Sequence, residues 1–282
     1  MNALFYHKFW HVVGDNVVLA VLDFLNHGNM LPEINHANIV LISKVKSPVK
    51  MSDFRPISLC NMIYKIISKV LTNRLKQVLP QIISPTQSAF VRGRLITDNV
   101  LVAFETLHTM HSRKKWKKGS LAKLDISKAY DRVEWQFLQS IMEKIGFPVT
   151  WIERMMSCVM TQSFSILVNG KAYGMIHPSR GICQGDPLSP YLFLLFVEGF
   201  TALLAQAESK GRIKGVSIYR GAPKVINLMF ADDSLLFCQA TQAEGEAIAE
   251  ILQTYERASR QSINLEKSLA YFSSNISDSQ KQ

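Results

Sequence analysis

Apolar residues recur at Val13, Val17, Val18, Val21, Leu22 and Leu25, close to the period of an amphipathic helix, and Gly28 supplies a stop. From Asn61 to Leu79 the positions Ile63, Ile66, Ile67, Val70, Leu71, Leu75 and Val78 share one face, with Lys65, Lys69, Arg74 and Lys76 largely elsewhere. That spacing predicts a helix with a basic outer side. Further helices are expected over Asn99–His111 and Val133–Ile145, the second ended by Gly146 and Pro148. Ser189 followed by Pro190 reads as an N-cap and first helical residue, and Leu192 to Val197 is apolar on every side, so this helix should be buried. Strand signals are shorter. Ile39–Ile42 is one, and Ser163–Val168 and Lys171–Ile176 flank Asn169-Gly170, a strong hairpin signal. Val225–Met229 and Ser234–Cys238 flank a polar tip, and Leu121 to Asp131 begins as a buried strand. Helix and strand alternate without simple repetition, which predicts an α+β domain in which helices support an antiparallel sheet.

Composition narrows this only moderately. With 282 residues, 48% of them hydrophobic, the chain can build one large domain or two lobes. Basic residues number 32 against 22 acidic, a net charge of +10, which favours a polyanionic partner. Residues 1 to 124 hold 17 of the basic residues and 6 of the acidic ones, so the excess lies ahead of most carboxylates. That distribution suits a protein that grips nucleic acid with one lobe and holds cations with another. The cysteines at 60, 158, 183 and 238 lack metal-ligand spacing and disulfide density, and read as reduced intracellular thiols. His7 and His11 have i, i+4 spacing, but no Glu follows His7 as a zinc protease motif requires. Pro190 to Val197 is too short to span a bilayer and the N-terminus shows no signal peptide, so no membrane partner is expected.

Chemistry concentrates in three aspartates. Phe230-Ala231-Asp232-Asp233 puts adjacent carboxylates at a hairpin tip, where they either share hard divalent cations or remain a solvated turn. Asp125 lies in Leu121-Ala122-Lys123-Leu124-Asp125-Ile126, where an unpaired carboxylate is expensive. It is either a third metal ligand or a hydrogen-bonded structural Asp starting a helix near Ser127 or Asp131. Three such carboxylates can hold two metal ions about 3.5–4 Å apart and stabilise both oxygens of an in-line phosphoryl displacement. Arg113 to Lys118 surrounds Trp116 with five basic residues and is either an exposed loop or a clamp on a nucleic-acid strand.

These segments stand in order with Asp53-Phe54-Arg55-Pro56-Ile57-Ser58-Leu59, Gln87-Ser88-Ala89-Phe90-Val91-Arg92-Gly93-Arg94, Arg180 to Pro190 around Gln184-Gly185-Asp186, and Ser262-Ile263-Asn264-Leu265-Glu266-Lys267-Ser268. From about Ala37 to Phe272 the chain resembles the reverse transcriptases of non-LTR (LINE-type) retrotransposons, and among them those of plants. The resemblance implies a right-hand polymerase fold of the α+β class: an N-terminal helical extension at 1–36, mostly helical fingers at 37–118, a palm at 119–275 whose antiparallel sheet is backed by helices, and a disordered tail at 276–282. It implies an RNA-directed DNA polymerase that uses two Mg²⁺, with Mn²⁺ as a substitute, an RNA template, a DNA primer and deoxynucleoside triphosphates. Asp125 and Asp232 then bind both metals, and Asp233 positions one metal or the primer end. Tyr130 excludes a ribonucleotide 2′ hydroxyl, and Gln184 and Gly185 lie along the incoming nucleotide. Arg55, with Lys65 or Lys69, contacts the triphosphate, while Arg92 and Arg94 hold template phosphate. Lys267 protonates the leaving pyrophosphate, with Asn264 as its companion. Asp131 and Asp186 are expected to be structural. Ten residues after Phe272 leave no room for a thumb or zinc knuckle, and no endonuclease precedes the fingers, so the expectation is fingers plus palm. The alternative is a truncated, inactive remnant that binds nucleic acid. A related polymerase of another type stays open, though Tyr130 speaks against it. Nuclear action is expected by family analogy alone.

Overall fold

The computed structural model describes residues 3–112, 119–219, 221–273 and 276, so the basic run Arg113–Lys118 lies outside the described residues. In chain order the elements begin with α1 (Ala3–Lys8), α2 (Trp10–His27), β1 (His36–Ser43), β2 (Phe54–Cys60), α3 (Met62–Ile82), α4 (Ile96–Ser112) and β3 (Gly119–Leu124). There follow α5 (Trp135–Ile145), α6 (Val149–Met160), β4 (Ser163–Val168), β5 (Lys171–Ile176) and α7 (Ser189–Ser209). The chain continues through β6 (Val216–Ser217), β7 (Lys224–Val225), β8 (Asn227–Phe230), β9 (Asp233–Gln239), α8 (Gln242–Ser259) and β10 (Leu269–Phe272).

Two compact units result, neither continuous in sequence: residues 1–77 with 133–192, and 78–132 with 193–282. The chain passes from one to the other within α3, between Arg132 and Val133, and within α7.

The first unit is built on a four-stranded sheet in the order β2-β1-β4-β5. Antiparallel hairpins join β1 to β2 and β4 to β5, while β1 runs parallel to β4 with His36 opposite Ser163. The β4–β5 turn is the expected one: Asn169 and Gly170 take φ of 49° and 78°, the paired left-handed residues that match strand twist. Helix α2 buries Gly14, Val17, Val21 and Phe24 and ends at Gly28, whose φ of 83° is a left-handed C-cap. Helix α3 runs three residues past the predicted end, through Pro80, and the Asn61 side chain accepts from the Ile63 amide at its start (2.9 Å). Helix α5 stops at Gly146, also left-handed, as its sequence required.

The second unit carries an antiparallel sheet in the order β10-β3-β9-β8 and a two-stranded β6–β7 ribbon. Residues two apart in a strand share a face. On one face Leu228 and Phe237 pack with Ala103 and Met110 of α4. On the other, the buried Met229 meets Thr201 of α7. Leu192 to Val197 is buried, as its unbroken apolar run implied. The full α7 is longer than that run and apolar enough to cross a membrane by length and composition, yet 61% of its most apolar window is covered by protein. Helices on an antiparallel sheet give the α+β class expected. Of the tail at 276–282 only Ile276 is among the described residues, and it is buried.

Candidate active site

Register places the aspartates. Along β3 and β9 the partners run from Gly119 opposite Gln239 to Leu124 opposite Ser234. Asp125 follows directly on Leu124 and Asp233 directly precedes Ser234, so both lie one residue from the last pair of this ladder. Between β8 and β9 lies the two-residue turn Ala231-Asp232, with Phe230 opposite Asp233 and Ala231 at φ 55°. Asp232 and Asp233 stand at the hairpin tip that the pattern predicted, and Asp125 follows the neighbouring end of β3, a placement the hairpin pattern did not carry. Asp125 is half-buried and Asp232 and Asp233 are exposed. Lys123 Nζ stands 3.9 Å from Asp233 Oδ1.

Asp125 is clasped from behind by the segment after α8. Its amide donates to Ser268 Oγ (3.2 Å) and its carbonyl accepts from the Asn264 amide (2.8 Å). The Ser127 amide donates to Ser262 O (2.9 Å), and Gln261 Nε2 donates to Ala129 O (3.0 Å). Lys267 is exposed in the turn closed by Asn264 O, which accepts from the Lys267 amide (3.2 Å). Asn264 and Lys267 share one sequence block, and nothing local in that block signals that it holds the Asp125 backbone, because the contact spans more than 130 residues.

Tyr130 stacks on Phe193 with ring centroids 5.1 Å apart and 19° between planes. Burial first, and the nearby Asp232 carboxylate second, push its hydroxyl up to about 12. Tyr130 and Asp232 are therefore neighbours, and the phenol is neutral at physiological pH.

Arg92 is exposed. Arg94 departs from expectation. Its Nη1 donates to Ser84 O (2.5 Å) and Gln87 O (2.7 Å), and Nη2 to Ile83 O (2.9 Å) and Pro80 O (3.3 Å). The guanidinium is engaged by carbonyls at and just beyond the carboxyl end of α3, so any template phosphate has to compete with them. Nearby, Glu198 accepts from the Ser84 amide (3.1 Å). Burial pushes the Glu198 carboxyl up to about 7, against the pull of that amide and of the Arg94 charge.

The other candidates belong to the first unit. Arg55 is exposed on β2, opposite Ile42. Lys65 is half-buried in the first turn of α3. The carbonyl of Gln184 accepts from the Ser58 amide (2.8 Å), which ties this loop to the outer edge of β2. Gly185 has φ 111°, and a Cβ there would lie 3.0 Å from Ser58 O. The close approach that requires glycine is thus to the chain's own β2. Asp186 is structural, as expected: it accepts from Tyr64 Oη (3.1 Å), the Leu188 amide (3.3 Å) and Ser189 Oγ (3.4 Å). Burial raises its pKa against those bonds. Helix α7 begins at Ser189 itself, one residue earlier than the cap-then-proline reading implied, and the Ser189 hydroxyl donates to Asp186 just ahead of it.

Carboxylate oxygens suit hard divalent cations. Among the described residues, however, no three His, Cys, Asp or Glu side chains converge closely enough to form a ready metal cage. The donor chemistry and the placement at the strand ends suit such ions.

A profile of the family Reverse transcriptase (RNA-dependent DNA polymerase) matches residues 42–279. The chain belongs to the reverse transcriptase family. It is 29% identical over 264 residues to the transposon TX1 uncharacterized 149 kDa protein of Xenopus laevis, covering 94% of this chain and 20% of that protein. It is 29% identical over 213 residues to the retrovirus-related Pol polyprotein of the R2DM retrotransposable element of Drosophila melanogaster, covering 75% of this chain and 19% of that one. The chain spans about a fifth of the length of these relatives. Among solved structures, apo telomerase from Candida tropicalis superposes with a TM-score of 0.59 at 13% identity, covering 89% of this chain and 52% of that one. At that identity the likeness establishes the fold, and it agrees with the sequence resemblance to retrotransposon reverse transcriptases.

Proposed function

We propose that this chain is the catalytic domain of a LINE-type retrotransposon reverse transcriptase, extending a DNA primer on an RNA template with deoxynucleoside triphosphates. The observation that carries the reading is the β3–β9 ladder ending at Leu124 opposite Ser234, with Asp125 and Asp233 each one residue beyond that pair, Asp232 in the adjoining turn and Tyr130 beside it. Asp125 and Asp232 are the direct ligands of two Mg²⁺ in this reading, and Asp233 orients one ion or the primer end. When bound, such ions activate the primer 3′ hydroxyl and neutralise the leaving pyrophosphate. Tyr130 presents a ring, fixed by Phe193, to the sugar of the incoming nucleotide. Lys267, exposed in the turn that grips Asp125, is within the block that supplies a proton to the pyrophosphate. Arg55, Lys65, Gln184 and Gly185 contribute to nucleotide binding and Arg92 to template binding. Arg94 would have to leave its carbonyls to join it.

The test is primer extension on poly(rA)/oligo(dT) with Mg²⁺, comparing this chain with the Asp232→Ala, Asp233→Ala double variant. Extension by the wild type alone is expected. No extension by either, with salt-sensitive template binding retained, would replace the proposal with a binding remnant that no longer copies.

A further inference from the structure

The turn that presents Asp232 has an unusual residue at its first position. Two-residue hairpin turns need a left-handed residue there, and Gly, Asn or Asp normally fill it. Here Ala231 takes φ 55°, a conformation that a Cβ disfavours. Some contact outside the hairpin has to hold it.

That contact comes from the segment before α4. Thr86 to Ser88 lies alongside β8 on the side away from β9, with the Met229 amide donating to Thr86 O (2.9 Å) and the Ser88 amide to Met229 O (3.1 Å). Asn99 Nδ2 of α4 donates to Met229 O (2.8 Å) and Thr86 O (3.3 Å), pinning the junction. Between these bonds the Gln87 side chain, only 1% exposed, points at the turn. Its Oε1 accepts from the Ala231 amide (3.0 Å) and the Ala89 amide (3.0 Å), and its Nε2 donates to Ala231 O (3.4 Å). One amide group therefore engages both the N–H and the C=O of Ala231. The Ala231 carbonyl belongs to the peptide that enters Asp232, so fixing that plane fixes the direction from which the Asp232 carboxylate leaves the backbone.

We infer that Gln87 is a positioning residue for the aspartate turn: its side-chain amide holds Ala231 in the left-handed conformation that presents Asp232 to the reacting groups. The inference rests on the proposed role of Asp232 in metal binding. It gives the Gln87-Ser88-Ala89-Phe90 block a task within the chemistry, where the resemblance had offered template contact for its arginines. Supports of this kind, one bond removed from a ligand, commonly change metal affinity or activity by 10–100-fold when lost.

The variant Gln87→Met keeps the side-chain length and removes all three bonds. It is expected to accelerate deuterium exchange at the Ala231 amide, to raise the half-saturating Mn²⁺ concentration in direct binding titrations by about tenfold or more, and to lower kcat for primer extension by a similar factor, the nucleotide KM staying within about twofold. Ala231→Gly removes the conformational penalty at this position. In the Gln87→Met background it should therefore restore most of the lost Mn²⁺ affinity, while changing the wild type little. If Gln87→Met proves unfolded at the assay temperature, Gln87→Asn, polar but a methylene short of Ala231, carries the same expectation. Wild-type exchange and Mn²⁺ affinity in a folded Gln87→Met or Gln87→Asn protein would overturn the assignment, whereas extension by the wild type would still uphold the proposed function. A wild-type chain that neither binds Mn²⁺ nor extends primers would overturn both, even if exchange at Ala231 still responded to Gln87→Met.

Discussion

At Tyr130 a single ring joins packing to specificity. Burial keeps its hydroxyl protonated up to about 12, so the side chain meets a substrate as a neutral phenol and not as a phenolate beside Asp232. Stacking on Phe193 removes the freedom to swing away. If the ring is what rejects a 2′ hydroxyl, its bulk matters and its oxygen does not. Tyr130→Ala is then expected to lower the ratio of kcat/KM for a deoxynucleotide over its ribonucleotide by about tenfold or more, a steric discrimination within the usual range for a shaped pocket, and Tyr130→Phe to preserve it. Equal ratios in wild type and Tyr130→Ala would assign the ring to the core alone. The acidic residues were legible in the sequence for a related reason: carboxylates inside apolar stretches are costly, so Asp125, Asp232 and Asp233 stood out. Gln87 did not, because a neutral amide in a mixed segment carries no such signal, and its partner Ala231 lies 144 residues away.

At the scale of elements, local chemistry was readable where the chain punctuates itself. Asn169-Gly170, Gly28 and Gly146 ended their elements as read, each in the left-handed region. Helix α8 escaped because it is polar along much of its length, although its start is marked: Thr241 Oγ1 accepts from the Glu244 amide (3.3 Å), and Glu244 Oε2 accepts from the Gln239 amide (2.9 Å). Strands β2 and β10 and the parallel pairing of β1 with β4 depend on distant partners, which periodicity does not reveal. The carboxyl end of α3 illustrates the same limit. Pro80 near the end of a helix leads one to expect a frayed terminus. Instead Arg94 collects the carbonyl of Pro80 in the last turn and those of Ile83, Ser84 and Gln87 beyond it, which fits the longer helix and a guanidinium engaged within its own unit. Charged groups bonded to carbonyls contribute about 1.5–3 kcal/mol each at most, and a half-exposed guanidinium less, so Arg94→Ala is expected to cost about 1–3 kcal/mol of stability in denaturant unfolding. RNA affinity measured below the transition should stay near wild type. A large loss of affinity with unchanged stability would return Arg94 to the template.

For the whole molecule, the distribution of charge changes meaning once the chain is folded. Along the sequence the basic excess lies before residue 125, which suggested one gripping lobe and one cation-holding lobe. Folding redistributes it, because each unit draws on both halves of the chain. Residues 1–77 with 133–192 carry 13 basic against 8 acidic residues, and 78–132 with 193–282 carry 19 against 14, a net +5 in each case. The unit that holds Asp125, Asp232 and Asp233 is therefore as cationic as the other. Carboxylates that hold metal can sit in a field that still attracts a polyanion, because the fourteen acids are outnumbered by lysines and arginines of the same unit. If the proposed function holds, both units are expected to contribute to nucleic-acid affinity. Single-stranded RNA binding should weaken with salt at a logarithmic slope of about −0.7 per phosphate neutralised, and contact by both units implies several phosphates, a slope of about −3 or steeper. Fluorescence anisotropy with a labelled RNA between 50 and 300 mM salt, roughly the range over which such contacts are lost, measures it directly. Arg92→Ala, an exposed charge on the proposed template path, should make the slope shallower by somewhat less than one. A slope near zero would mean that the net charge merely keeps the protein soluble, and would remove the electrostatic argument for a nucleic-acid partner.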